Sequence, residues 1–383
     1  MSSRTARRWK VGGIAGSLVL LTAVLSACSP AAEDSSISEG RTTCYPGTAD
    51  EPLEESVVVN TTGGTIADAL EEAFWDDFEE ECGVTVERFD MTTRTFAQLT
   101  QFAEVESAPF DLGNTYSPEE FTLGVQAGIF HELPDDFWDA YEGQMIEGSY
   151  GDYGAWGYAV VYLMLTNTDE FPDGLSSWAD FFNADEYPGP RGIQDVARTS
   201  VVMALLGSGY TMDTLYPMSW DKVDEAFATL EKLKPAIRTF TTQSDQPVQG
   251  VGSGDFVAAW ASTGRGLGGI KDGLPIEINW AAGGDSLSYD WYILKNAEHP
   301  RAAEALLHYM QDAERQAEFF ELFGYGAGNK DIVDYLDDEQ AAQVEQILTM
   351  FTATAEQRQW WVDNSEELQE RWDAWKATGG FGG

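Results

Sequence analysis

Val57-Val58-Val59-Asn60-Thr61-Thr62-Gly63-Gly64-Thr65-Ile66-Ala67-Asp68-Ala69-Leu70, continuing through Phe74 to Phe78, reads as a strand, a turn and a helix in succession. Three β-branched residues in a row favour the extended backbone of a buried strand. Thr61 to Gly64 supplies the turn, and Ile66, Leu70, Phe74 and Phe78 then fall on one face of a helix. Thr65 with Asp68 gives a capping-box signature at its start. A buried strand that passes through a glycine turn into an amphipathic helix opens an α/β fold with a mainly parallel sheet.

The same alternation continues outward. Val84 and Val86 mark a second strand, Thr95 to Glu104 a helix, and Phe110-Asp111-Leu112 a third strand, directly followed by Asn114-Thr115-Tyr116. Ser117-Pro118-Glu119-Glu120 is a helix start, with serine as N-cap, proline at the first helical position and acids facing the helix dipole. Tyr116 thus falls at the carboxyl end of a strand beside a helix start, the crevice where open α/β sheets bind ligands. A Gly- and aromatic-rich stretch from Tyr153 to Thr166 crosses into a second series. There Trp178-Ala179-Asp180 opens a helix, Ile193-Gln194 is a short strand, and Asp195 to Thr199 enters a helix whose apolar face includes Val201, Ala204 and Leu205. Further strands are expected at 256–260 and 276–280. The chain crosses back near Gly283-Gly284 into a strand at 289–294, followed by a long helix from Arg301 and a Trp-rich helical C-terminus up to Trp375. Two crossings between lobes imply a hinge and a cleft that can close.

At the N-terminus, Arg4, Arg7, Arg8 and Lys10 precede the apolar run Val11 to Leu25, the pattern of a secretory signal peptide. The run is broken by glycines and falls short of the ~20 residues of a bilayer span. It ends in Leu25-Ser26-Ala27-Cys28, which resembles a bacterial lipobox and predicts lipidation of Cys28; the alternative is simple secretion after Ala27. Cys44 and Cys82 then remain as an even pair, read as a disulfide in an oxidising compartment, with two unpaired thiols as the alternative. The polar stretch from Cys28 towards Val57 reads as a tether. The net charge is −43, which disfavours nucleic acid as a partner.

Catalytic chemistry is sparse. The histidines are His131, His299 and His308, without an HExxH motif or a Cys/His cluster, and no GxSxG elbow occurs. Gly264-Arg265-Gly266-Leu267-Gly268-Gly269 lacks the following helix and acidic partner of a dinucleotide site and is read as a turn. No enzyme activity, catalytic residue, metal or cofactor is therefore expected. Aromatic residues make up 13% of the chain, and several fall at predicted strand ends, Trp260 among them. Tyr325 lies in Gly324-Tyr325-Gly326-Ala327-Gly328-Asn329, where glycines allow close backbone approach. Together they suggest a polar-aromatic pocket.

In order, NTTGGT, FDLGNTY, SSWADFF, YPGPRG, QDVART, DFVAAW, SYDWYIL and GYGAGN resemble the spermidine/putrescine-binding group of bacterial extracellular solute-binding proteins, over roughly residues 56 to 375. The resemblance implies a periplasmic-binding-protein-like fold of type II: two α/β lobes joined by two hinge crossings, delivering a small amine-containing, polyamine-type solute to an ABC permease. It divides the chain into a signal peptide (1–27), a lipidated tether (28–55), a first lobe (56–160 and 284–325), a second lobe (161–283) and C-terminal helices on the second lobe (326–383). The protein is expected to be a monomer, outside the cytoplasm and held to the membrane by the lipid on Cys28. Carried over position by position, Tyr116, Trp260, Asp290 and Tyr325 match pocket residues, with the amine between aromatic faces and Asp290 as its anchor.

The chain also departs from that pattern. Thr62 and Thr65 around Gly63-Gly64 stand where two aromatics are usual, Val196 and Thr199 where two carboxylates are usual, and Ser288 where a Trp is usual. Two missing charged hydrogen bonds would cost ~3–6 kcal/mol, so a linear polyamine binds poorly unless Asp195 compensates. The Gly63-Gly64 loop, with backbone N–H groups facing the cleft, suits an anionic or oxygen-rich group, and Arg198 is placed to assist. An opine or another zwitterionic or hydroxylated amine is the alternative ligand.

Overall fold

The computed structural model describes residue 44, residues 52–351 and residues 355–382. The expected signal peptide, Cys28 and most of the expected tether lie outside the described residues. Ten strands form one sheet: β1 Ser56–Thr61, β2 Thr85–Asp90, β3 Leu112–Asn114, β4 Tyr150–Gly151, β5 Gly154–Asn167, β6 Arg191–Gln194, β7 Ile237–Thr241, β8 Ala258–Ser262, β9 Ile276–Asn279 and β10 Asp285–Ile293. Their order is β2-β1-β3-β10-β5-β8-β6-β7, with β4 and β9 added on β5. The pairs β1–β2, β1–β3 and β6–β7 are parallel, as the strand-then-helix alternation requires. The two crossings, β5 and β10, run antiparallel side by side and join the two lobes.

Helix α1 (Thr65–Leu70) passes through a π turn (Glu71–Trp75) into α2 (Asp76–Cys82), and Phe74 and Phe78 are buried on this helix against β1. Helix α3 (Phe96–Glu104) opens on a capping box made by Thr95 and Gln98, which satisfies two backbone N–H groups that the first turn cannot pair. Helix α4 (Glu120–Ala127) follows β3, and α5 (Ala197–Gly207) follows β6. One core packs Val57, Val59, Phe78 and Leu306 on the first lobe; another packs Trp178, Phe181, Val201 and Leu205 on the second. The long strand β5 is buried on both faces, Tyr158 and Val160 towards the first core and Ala159, Val161 and Leu163 towards a third cluster.

Several local expectations are corrected. Residues 263–271 form helix α6 (Thr263–Lys271) where a turn was expected. Gly264 is needed because an added Cβ would collide with the Phe323 carbonyl oxygen, so tertiary packing outweighs the poor helix propensity of glycine there. The helix at Arg301 spans only Pro300–Tyr309 before the chain breaks into a second one, Ala313–Phe323. Asp312 caps that second helix, accepting from the backbone of Glu314 and Arg315. The C-terminal helix α7 (Ala355–Ala377) lies against α5 and α4, with Trp372 and Trp375 packed on Phe227 and Phe240.

Cys44 and Cys82 are joined by a disulfide across a sequence separation of 38, with Cys82 fully buried at the end of α2. Closing a loop of that length removes about 4 kcal/mol of unfolded-state entropy. Replacing both cysteines by serine should lower unfolding free energy by ~2–4 kcal/mol in urea titration, and reductant should act likewise on the native chain. An unchanged midpoint would show that the bridge contributes nothing.

Candidate functional site

The hinge strands build the site. A cavity of about 520 Å³ opens between the lobes, lined by the start of α4, the β4–β5 hairpin, one stretch of β10, Arg198 of α5, and Phe351 with Arg358 of the C-terminal region. The β10–β5 register slips between Tyr289 and Asp290, so that Asp290 stands opposite Trp156. A bulge of this kind re-aims a strand's side chains, and both Ser288 and Asp290 line the cavity.

Asp290 is the most perturbed acid on its wall. Burial pushes its carboxyl up to about 7, against the opposing pull of the Arg358 guanidinium and the Ser288 hydroxyl. Ser288 donates to Asp290 Oδ2 at 3.3 Å, and among the described residues Asp290 has no salt-bridge partner. The cationic side is formed by Arg198 and Arg358. Arg198 is mostly buried; it donates to Glu119 Oε1 at 3.1 Å and approaches Asp285 Oδ1 at 3.6 Å. Burial works against the Arg198 charge, yet Asp285 and Glu119 outweigh it and hold the guanidinium above its ordinary range. The same pair ties α5 of the second lobe to the N-cap of α4 on the first. Burial lowers Arg358, and the Asp290 carboxyl partly offsets that.

Most of the other residues expected at the site are elsewhere. Tyr116 does not line the cavity, and the Arg94 guanidinium covers one face of its ring at 4.4 Å. Its hydroxyl lies 2.7 and 2.6 Å from the Thr61 and Met91 carbonyls. Arg94 is itself buried and bidentate on Glu120, at 2.8 and 3.0 Å. Trp260 is fully buried, packed on Trp178 and Phe181 in the second core, because strand β8 directs its even positions there. Tyr325 stacks on Tyr158 and donates to Ser262 Oγ at 3.1 Å inside the hinge region.

The Gly63-Gly64 loop is present with positive φ at both glycines, but the Gly63 N–H donates to Thr61 Oγ1 at 3.1 Å, and the Asp90 carboxylate lies beside it. An anion there would meet a negative neighbour, and Thr62 and this loop do not line the cavity. Asp195 accepts from Trp372 at 2.7 Å and pairs with Lys376 at 2.6 Å, so its charge is engaged by α7. Thr199 donates to Asp285 Oδ2 at 2.9 Å and is buried. Of the expected ligand set the structure brings only Ser288 and Asp290 to the cavity, together with Arg198.

Sequence reasoning missed Glu119, Trp156, Phe351 and Arg358 as cavity residues. Arg358 had a usable signal: cations are scarce here, 22 against 65 acids, so one flanked by an aromatic run invites the question of what it faces.

A two-lobed α/β body with a cavity at its hinge, lined by both charged and apolar side chains, is the architecture of solute-binding proteins. The family model for bacterial extracellular solute-binding proteins matches residues 73–350, and the chain belongs to that family. Its members capture small solutes outside the cytoplasm and work with ABC permeases; they are not enzymes. The chain is 29% identical over 333 residues to the gamma-aminobutyric acid-binding protein of Pseudomonas aeruginosa, covering 86% of this chain and 93% of that one. In structure it is similar to an ABC transporter substrate-binding protein from Bradyrhizobium japonicum USDA 110, with a TM-score of 0.76 and 22% identity over 84% of this chain and 99% of that one. It is also similar to MotA of A. tumefaciens B6 in complex with glucopine, with a TM-score of 0.71 and 21% identity over 84% and 99%. The fold is accordingly the periplasmic-binding-protein type expected from the sequence.

Proposed function

We propose that this protein is a membrane-tethered lipoprotein, anchored through Cys28, that captures a zwitterion carrying both an ammonium and a carboxylate. One observation carries the ligand assignment: Asp290, an acid without a salt-bridge partner among the described residues, shares a cavity with two guanidinium groups, Arg198 and Arg358. The ammonium takes the Asp290 carboxylate and the ligand carboxylate takes the guanidinium side, each through charge-assisted hydrogen bonds. A relative named for gamma-aminobutyric acid and a structural neighbour holding glucopine bind molecules with both groups, which supports the same class. Polyamine is disfavoured, because a second ammonium about 5 Å from a guanidinium is repelled by roughly 3 kcal/mol at an effective dielectric of ~20.

Thermal unfolding of the mature protein with a panel of ligands tests this. A true ligand at a hundred times its Kd stabilises by about 2.7 kcal/mol, a rise of several degrees. The zwitterions gamma-aminobutyric acid and glucopine should raise Tm, and putrescine and spermidine should not. The opposite outcome would return the protein to the polyamine class. Mass spectrometry of the mature N-terminus checks the anchor: a diacylated Cys28 is expected, and an unmodified one would leave a secreted protein.

A further inference from the structure

We propose that the C-terminal helix α7 is a gate carried by the second lobe: it closes the cavity against α4 of the first lobe, and the Arg198–Glu119 ion pair beside it holds the empty protein shut. The inference does not depend on which solute the cavity takes.

The first observation is how unevenly α7 is fastened. It is bound to the second lobe along its length. Trp361 and Trp372 are fully buried in the second core. Trp361 donates to the Tyr216 hydroxyl at 3.2 Å, Trp372 to Asp195 at 2.7 Å and Trp375 to Glu231 at 2.9 Å, and Trp360 packs edge-on against Trp220 with ring centroids 5.3 Å apart. Buried indoles whose N–H groups are also satisfied make a firm attachment. The polar contact with the first lobe is of another kind. Gln126 of α4 donates to Gln359 at 3.3 Å, a neutral bond between exposed side chains that water can replace at little cost.

The second observation is where that light contact falls. Thr122, Val125 and Gln126 on α4 and Arg358, Gln359 and Val362 on α7 all line the cavity, so the seam between the two helices is part of its wall. Arg198 of the second lobe crosses to Glu119 of the first at 3.1 Å, and its guanidinium lies 5.1 Å from the Trp361 ring. The two side chains are 11% and 17% exposed, so solvent screens their attraction little. If the lobes part about β5 and β10, the glutamine contact and the ion pair are the bonds that break, and the tryptophan anchorage stays whole. Helix α7 then leaves with the second lobe, and the cavity opens along α4.

Distances between paired spin labels, read by electron paramagnetic resonance without added solute, test this on the mature chain in a Cys28→Ser background. Labels at Gln126→Cys and Gln359→Cys span the seam. Labels at Ala228→Cys and Ala374→Cys, both exposed, join the second-lobe helix Trp220–Leu233 to α7 and report the anchorage. With Glu119 intact the seam should show mainly its short distance. Glu119→Gln should enlarge the long-distance population at least fivefold and leave the control distance unchanged. Arg198 keeps Asp285 in that variant, and the unchanged control distance shows that the second lobe is still folded. A seam already open with Glu119 intact overturns the proposal. So does a seam distance that Glu119→Gln does not alter, or a control distance that lengthens while the seam stays closed, which would make α7 part of the first lobe.

Discussion

Asp290→Asn is expected to bind the best zwitterion of the panel at least a hundredfold more weakly than the native chain, while the empty variant unfolds at a higher temperature at pH 8. Truncating one partner of a buried charge pair costs 2–5 kcal/mol or more, which sets the loss of affinity. The gain in stability has the opposite origin. Burial raises the Asp290 carboxyl to about 7 in the folded protein, against an ordinary value of 3.8. Between those two values the native state holds a proton that the unfolded chain has released, so stability is full below the lower value and declines as pH rises to about 7. At pH 8 the native chain therefore contains an ionised acid whose burial the Arg358 guanidinium and the Ser288 hydroxyl offset only in part, at a cost on the order of 2–4 kcal/mol, and asparagine removes that cost. Binding of an ammonium draws the carboxyl back down and releases a proton. Affinity should consequently rise up to tenfold per pH unit from pH 5 to 7 and level off above it. Calorimetry in two buffers of different ionisation enthalpy would register the proton. Binding that is flat across this range, together with an asparagine variant no more stable than the native chain at pH 8, would show that Asp290 is not the anchor.

Arg198→Met is expected to cost roughly 3–4 kcal/mol of stability. The guanidinium is held between Glu119 at 3.1 Å and Asp285 at 3.6 Å, whose side chains are 17% and 2% exposed. Methionine matches the stem but leaves both acids without their cation, and breaking a buried pair from one side is the expensive case. The Glu119 share should be recoverable: Glu119→Gln in the Arg198→Met background should cost little or restore stability, giving a coupling of about 1–2 kcal/mol in a double-mutant cycle followed by urea unfolding. Loss of Arg198 should also weaken zwitterions more than their amide analogues, because only the former present a carboxylate. Additive single and double variants would remove the ion pair from the account of how the lobes are joined, and equal losses for acid and amide would remove it from the site.

The alternation of strand and helix was legible because its cause is local. Val57 to Asn60 with the helix at Ile66 to Phe78 and the two crossings near Tyr153 and Gly283 each announce themselves within a dozen residues; the capping box expected at Thr65 and Asp68 does not form, since Gly64 caps that helix without a side-chain bond, and one forms at Thr95 instead. Where propensity and packing disagreed, packing prevailed: the glycine-rich 263–271 is a helix packed so closely that a side chain at Gly264 would strike the Phe323 carbonyl. The site was only partly legible. Asp290 and Ser288 lie on a recognisable crossing strand, and Arg198 on a recognisable helix start. The rings of Tyr116, Trp260 and Tyr325 were legible as aromatic but not as to what they face.

By itself the sequence determined the class of protein and the alternation of strand and helix, since composition and periodicity act over neighbouring residues. Only the tertiary structure decided which cation covers Tyr116, which core receives Trp260, and that Arg358 arrives at a cavity 68 residues further along the chain than Asp290. Those outcomes depend on strand register, on the slip between Tyr289 and Asp290 and on the docking of α7. Each is a contact between segments far apart in the chain, and the energy of such a contact exists only once the backbone has brought them together.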